Sequence, residues 1–152
     1  MSRPFFRQIA KHYSEVRQQD LAEKYYIKAG QPVDAFEMYI TSQKWEQALR
    51  VSKDNLPNND IVSLYIKQAQ KLEAKGNLKD AEKLFMTVEE PDLAIQMYKK
   101  AGQFDNMIRL IAKYRKNLLK DTHQAIAQKF QQEGNLKMTE HHFIESGKGG
   151  WL

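Results

Sequence analysis

The stretch "AEKYYIKAGQPVDAFEMY", residues 22–39, returns 59 residues later as "AEKLFMTVEEPDLAIQMY", residues 81–98. Seven of the eighteen positions are identical, where chance would supply about one. Both copies carry an apolar stripe at i, i+3, i+4, i+7: Ala22, Tyr25, Tyr26, Ala29 in one and Ala81, Leu84, Phe85, Val88 in the other. The same spacing follows at Ala94, Met97, Tyr98, Ala101 and at Phe104, Met107, Ile108, Ile111. Such stripes belong to helices with one buried face.

Within each copy a shorter period of thirteen residues links Ala22, Ala35 and Ala48, and likewise Ala81, Ala94 and Met107. Thirteen residues fit a helix of roughly nine or ten plus a tight turn. Gly30, Gly76, Gly102 and Gly134 each follow a helical run and precede Gln or Asn, as helix-closing glycines do. Pro32 and Pro91 stand just ahead of the next stripe, at the first helical turn where proline does no harm. Trp45 matches Phe104 and Arg50 matches Arg109. A third copy begins after Gly134, one residue short, with Thr139, Glu140 and Phe143 in the places of Ala81, Glu82 and Phe85.

Each large period also contains a longer helix, roughly residues 60–75 and 119–133, and the opening segment 4–17 matches it, with Ala10, Ala69 and Ala127 in register. Helices this short cannot bury their stripes alone, so stacked neighbours must cover them. The expectation is an all-α fold, an α-solenoid of short antiparallel helix pairs of tetratricopeptide-like type. Residues 1–146 read as a single segment of about two and a half copies of a 58–59-residue super-repeat, and 147–152 as a flexible or divergent tail.

Composition agrees. Of 152 residues, 41% are hydrophobic and 28% charged, the balance of a folded chain with a core. With no cysteine, disulfides and thiolate metal sites are excluded. The longest apolar runs are only a few residues, so no transmembrane segment is expected, and the start "MSRPFFRQIAKHYSEV" lacks the apolar run of a secretory signal. A net charge of +5 permits an anionic partner and names none.

Candidate chemistry is sparse. Neighbouring His141 and His142 point about 100° apart on a helix and cannot easily share a metal ion; His142 falls on the interior slot of Tyr25 and Leu84. His12 and His123 have no partner in sequence. "GKGG", residues 147–150, lacks the spacing and the Ser or Thr of a phosphate loop. Glu89 and Glu90 read as a solvated turn before Pro91. Tyr26, Tyr39, Tyr98 and Trp45 read as core rather than as base-stacking platforms. No catalytic residue, metal site or cofactor is expected, and the chain is read as not an enzyme. One feature exceeds background: Lys99, Lys100, Arg109, Lys113, Arg115, Lys116 and Lys120, opposed in that span only by Asp105. It is a solvated face or a partner-binding basic patch. Nucleic acid is not expected, because no aromatic or glycine pattern interleaves with these charges.

The segments "YYIKAGQPVDAFEMYITSQKWEQALRVS", "LAIQMYKKAGQFDNMIRL" and "HQAIAQKFQQEGNLKMTEHHF" resemble the helical half of the large intraflagellar transport proteins, which join WD40 propellers to tetratricopeptide-like repeats. The resemblance runs to about Ser146; "GKGGWL" departs from it. It implies a fragment of a longer subunit of the anterograde, B-type intraflagellar transport complex, needed for assembly of the trains that move along axonemal microtubules. It further implies a non-catalytic protein–protein scaffold, other intraflagellar transport subunits as partners, and a place in the cilium or flagellum and the cytoplasm near the basal body. The alternatives are a helical-repeat segment of a related vesicle-coat or retrograde ciliary subunit, or a basic surface that binds nucleic acid or acidic membrane. Solenoid ends leave an apolar face uncovered, so weak self-association is a further expectation.

Overall fold

Ala22, Ala35 and Ala48, thirteen residues apart, have no solvent exposure at all, and neither do Ala81 and Ala94 one large period later. A methyl group at each of these slots lets adjacent helices approach closely, and the larger residues beside them fill the core. The computed structural model describes residues 3–147. Among these residues there are ten α-helices and no strand. They are α1 (Arg3–Glu15), α2 (Gln19–Lys28), α3 (Pro32–Thr41), α4 (Trp45–Asn55), α5 (Asn58–Ala74), α6 (Leu78–Thr87), α7 (Pro91–Lys100), α8 (Phe104–Tyr114), α9 (Leu119–Gln132) and α10 (Leu136–Glu145), with a 3-10 turn at Lys116–Leu118 before α9.

The fold is thus all-α and of the helical-repeat solenoid class. Its contacts sort into two compact units, Met1–Gln68 and Ala69–Leu152, divided within α5. In the first unit α1 packs on α2, α2 on α3 and α3 on α4; in the second α6 packs on α7, α7 on α8, α8 on α9 and α9 on α10. The reason is the length of the helices. An isolated helix of ten residues is marginal in water, whereas burying one large apolar side chain contributes about 1.5–3 kcal/mol. Helix α3 buries Phe36, Tyr39 and Ile40 beside its alanine, and α7 buries Ile95, Met97 and Tyr98. Phe36 also meets Tyr65 of α5 edge-on, with ring centroids 5.1 Å apart.

Seven of the nine connections between these helices obey one rule with two chemistries. Those after α4 and α8 leave through extended Leu56 and through Arg115 at φ −139° instead. After α2, the amide of Gly30 donates to the carbonyl of Ile27 and that of Gln31 to Tyr26, each at 2.9 Å. This double bond pattern closes a helix through one left-handed residue. Glu89, 59 residues later, makes the same turn at φ 58°, with its amide on Met86 and that of Glu90 on Phe85. Gln43 (φ 57°) corresponds to Gly102, and Arg17 (φ 62°) to Gly76. Packing on both flanks therefore imposes the left-handed residue whether or not glycine supplies it. The glycine-based reading finds the turns at 30, 76, 102 and 134 and misses the other three. Pro32 and Pro91 do begin their helices, as expected. Of the tail expected at 147–152, all but Gly147 lies outside the described residues.

Candidate functional site

The basic residues between 99 and 120 come from three helices and the connection between α8 and α9. Lys99 and Lys100 close α7, Arg109 and Lys113 lie on α8, Arg115 and Lys116 follow it, and Lys120 lies in the first turn of α9. Two of the seven are already occupied. Arg109 sets both guanidinium nitrogens on the carboxylate of Glu82, Nη1 at 3.3 Å from Oε2. Arg115 holds Asp92 Oδ2 at 3.0 Å through Nη2 and the carbonyl of Tyr114 at 2.8 Å through Nη1. Acids on α6 and α7, outside the span of the basic run, thus reduce the cationic face to lysines. Lys113 lies over the Tyr114 ring, 5.2 Å from its centroid. All five lysines are exposed.

These lysines are not part of the repeat. Fifty-nine residues before Lys99, Lys100, Lys113 and Lys116 stand Ile40, Thr41, Asp54 and Pro57. The core positions recur while these charges do not, so packing does not require them. That difference separates them from Arg109, whose counterpart Arg50 has a structural task.

Arg50, on α4, donates to both oxygens of Glu23 on α2, at 3.0 and 2.6 Å, while Tyr39 on α3 donates its hydroxyl to Oε1 at 2.6 Å. In the second unit Tyr98 donates to Glu82 at 2.6 Å, beside the Arg109 fork. Each carboxylate therefore ties three successive helices together. The hydrogen bonds from Arg50, joined by that from Tyr39, outweigh burial and hold the Glu23 carboxyl below its ordinary range. Burial resists ionisation of Glu82, but Arg109 and Tyr98 overcome it in the same direction. Burial, then the adjacent carboxylate, raises both tyrosine hydroxyls, so they remain donors. The recurrence of Glu, Tyr and Arg was legible in the sequence; their meeting was not, because sixteen and twenty-seven residues separate them.

The histidines divide as their slots do. His141 is exposed, and His142 is buried at 2% exposure. His123, without a partner in sequence, has one in space: its Nδ1 lies 2.9 Å from Nδ1 of His142. One proton held between two Nδ1 atoms leaves one ring as donor and the other as acceptor. Phe130 stacks on His142 at 5.8 Å with planes 4° apart. Burial pushes both imidazoles below the usual histidine value, against the pull of Glu145 on each and of Asp105 on His142. Among the described residues, no cluster of three or more His, Cys, Asp or Glu could hold a metal ion. Tyr39 and Tyr98 are buried, whereas Tyr26 and Trp45 are half-buried. No helix of the described residues is long and apolar enough to cross a membrane.

No protein-family model matches the chain. Curated relatives do. The chain is 39% identical over 142 residues to the intraflagellar transport protein 172 homolog of Mus musculus, covering 93% of this chain and 8% of the mouse protein. It is 41% identical over 145 residues to intraflagellar transport protein 172 of Chlamydomonas reinhardtii, covering 94% and 8%. With the intraflagellar transport protein osm-1 of Caenorhabditis elegans it shares 32% over 143 residues, again 94% and 8%. The chain thus resembles one segment of these proteins and spans 8% of their length.

Proposed function

We infer, from its likeness along 93% of its length to one segment of intraflagellar transport protein 172, that this chain is a non-catalytic docking segment of an intraflagellar transport protein. Its setting is the cilium or flagellum and the ciliary base. Its partners are other subunits of the B-type transport complex, and its task is to help assemble the trains that carry cargo. The observation that carries this reading is the alignment itself: one long match to a segment of intraflagellar transport proteins, with a helical repeat throughout.

The docking face we propose consists of Lys99, Lys100, Lys113, Lys116 and Lys120, beside Arg109 and Arg115. The lysines are exposed and absent from the matching positions of the first repeat copy, so they answer to something other than packing. An acidic protein surface is the chemistry they suit.

The test is to express the whole protein containing this stretch in ciliated cells, carrying Lys113→Glu, Lys116→Glu and Lys120→Glu. The variant should be stable, yet co-sediment poorly with the other complex subunits and fail to enter the cilium. Normal incorporation and normal trains would overturn the docking face. Tight binding of the isolated chain to single-stranded RNA at physiological salt, where purely electrostatic binding is weak, would overturn the scaffold reading.

A further inference from the structure

We propose that the stripe Leu136, Glu140, Ile144 on α10 is a docking site for one further helix pair of this same repeat, carrying a Tyr sixteen and an Arg twenty-seven residues after Glu140 and clamping its carboxylate as Tyr98 and Arg109 clamp Glu82. The proposal does not depend on which complex the chain serves.

Three helices occupy the same place in successive copies: α2, α6 and α10. On each, one side carries residues four apart: Gln19, Glu23, Ile27; then Leu78, Glu82, Met86; then Leu136, Glu140, Ile144. Residues at i, i+4 and i+8 share a helix face. In the first two copies this face meets the next two helices. Gln19 Nε2 donates to Ser42 Oγ at the end of α3 at 2.6 Å, and Glu23 receives Tyr39 and Arg50. Leu78 lines one groove with Glu82, Tyr98 and Arg109. All six residues of these two stripes are half-buried.

In the third copy all three are exposed. Leu136 has 64% and Ile144 53% of its surface open, the two largest values among the exposed large apolar residues. Glu140 is exposed as well, and no ion pair or side-chain hydrogen bond to it is recorded among the described residues. The opposite side of α10 is finished: Thr139, His142 and Phe143 are buried like Ala81, Leu84 and Phe85. Helix α10 is therefore packed on its inner side and bare on the side that its two equivalents cover. An apolar–acid–apolar stripe fits an apolar helix pair that brings a phenol and a guanidinium. A second copy of the chain is a poor occupant, because its own Tyr39–Arg50 and Tyr98–Arg109 pairs are already engaged on Glu23 and Glu82.

The experiment extends the full chain. Residues 147–152 are replaced, after Ser146, by a copy of residues 89–114. The copied Tyr98 then falls sixteen residues after Glu140 and the copied Arg109 twenty-seven. Hydrogen exchange along α10 should slow at least tenfold in the extended chain, with added helical signal. Glu140→Ala should abolish most of that gain there and do little in the original chain. A graft of residues 30–55, which carries Tyr39 and Arg50 at the same offsets, should act alike and guards against one badly folding graft. The proposal is overturned if neither graft adds protection to α10, or if Glu140→Ala acts equally in extended and original chains. It is also overturned if the original chain gains α10 protection with rising concentration in a Glu140-dependent way, since the face would then take a second copy.

Discussion

Arg109 reaches back twenty-seven residues to grip Glu82, and Arg50 grips Glu23 across the same interval. With the tyrosine hydroxyl between them, each carboxylate has donors from two other helices. The carboxylates retain only 19% of their side-chain exposure, so removing one leaves a buried phenol unsatisfied.

Glu82→Ala should therefore destabilise the protein by about 1–3 kcal/mol, the usual penalty for orphaning a buried polar group. Tyr98→Phe should cost less, about 1 kcal/mol. Urea unfolding of Glu82→Ala, Arg109→Ala and the double variant should be non-additive by at least about 0.5 kcal/mol. Strict additivity would mean that the fork contributes nothing.

The same carboxylates set an acid limit. Their folded pKa values lie below the ordinary 4.5, so the folded state favours the ionised form. This stabilisation is present above about pH 4.5 and is lost as pH falls through the lower folded values. A chain with Glu23→Gln and Glu82→Gln should be less stable at pH 6 and converge on the parent toward pH 3. A constant difference across that range would contradict the assignment.

The buried histidines act in a higher window and with their own sign. Burial depresses both from 6.5, so below that pH the unfolded chain binds more protons than the folded one. Stability should fall as pH drops from about 7 through 6, by at most about 1.4 kcal/mol per pH unit for each proton. Titratable neighbours are His141, Asp105 and Glu145. Replacing the pair together, His123→Leu with His142→Leu, should flatten this slope, since two matched apolar groups leave no orphan. Denaturant midpoints at pH 7.5 and 5.5 decide it; an unchanged slope in the double variant would assign the effect elsewhere.

Left-handed Gln43 and Glu89 make the turns that Gly102 and Gly30 make. A side chain there costs about 1–2 kcal/mol, partly offset by the greater freedom glycine loses on folding. Gln43→Gly and Glu89→Gly should each raise stability by about 0.5–1 kcal/mol, and Gly102→Ala should lower it by about 1 kcal/mol. A melting temperature that falls in either glycine variant would show that the side chain contributes more than the strain it carries.

The slot at Ala81 should resist a large side chain. Ala81 is fully enclosed, and Ala81→Leu should cost about 1–3 kcal/mol through overpacking. The third copy already holds Thr139 there, with its hydroxyl bonded to the Asn135 carbonyl at 2.7 Å. Ala81→Thr should for that reason be the milder change. Equal melting temperatures for both variants would argue against a tight slot.

Much of this protein was legible in its residues. Local physics fixes helix periodicity, the proline starts, the glycine ends and the interior place of His142, because each depends on neighbours within a turn or two. The repeat made equivalent positions visible, so Glu23 and Glu82, Tyr39 and Tyr98, Arg50 and Arg109 could be matched without coordinates. What tertiary structure alone decided was which of them touch. Residues sixteen, nineteen or twenty-seven apart meet only once helices stack, and that meeting turned Arg109 from a member of a basic run into a clamp. It also gave His123 a partner and put Arg115 on Asp92. Side-chain charge is a property of sequence, but whether a charge faces water or a counter-charge follows from packing geometry, which no local pattern encodes.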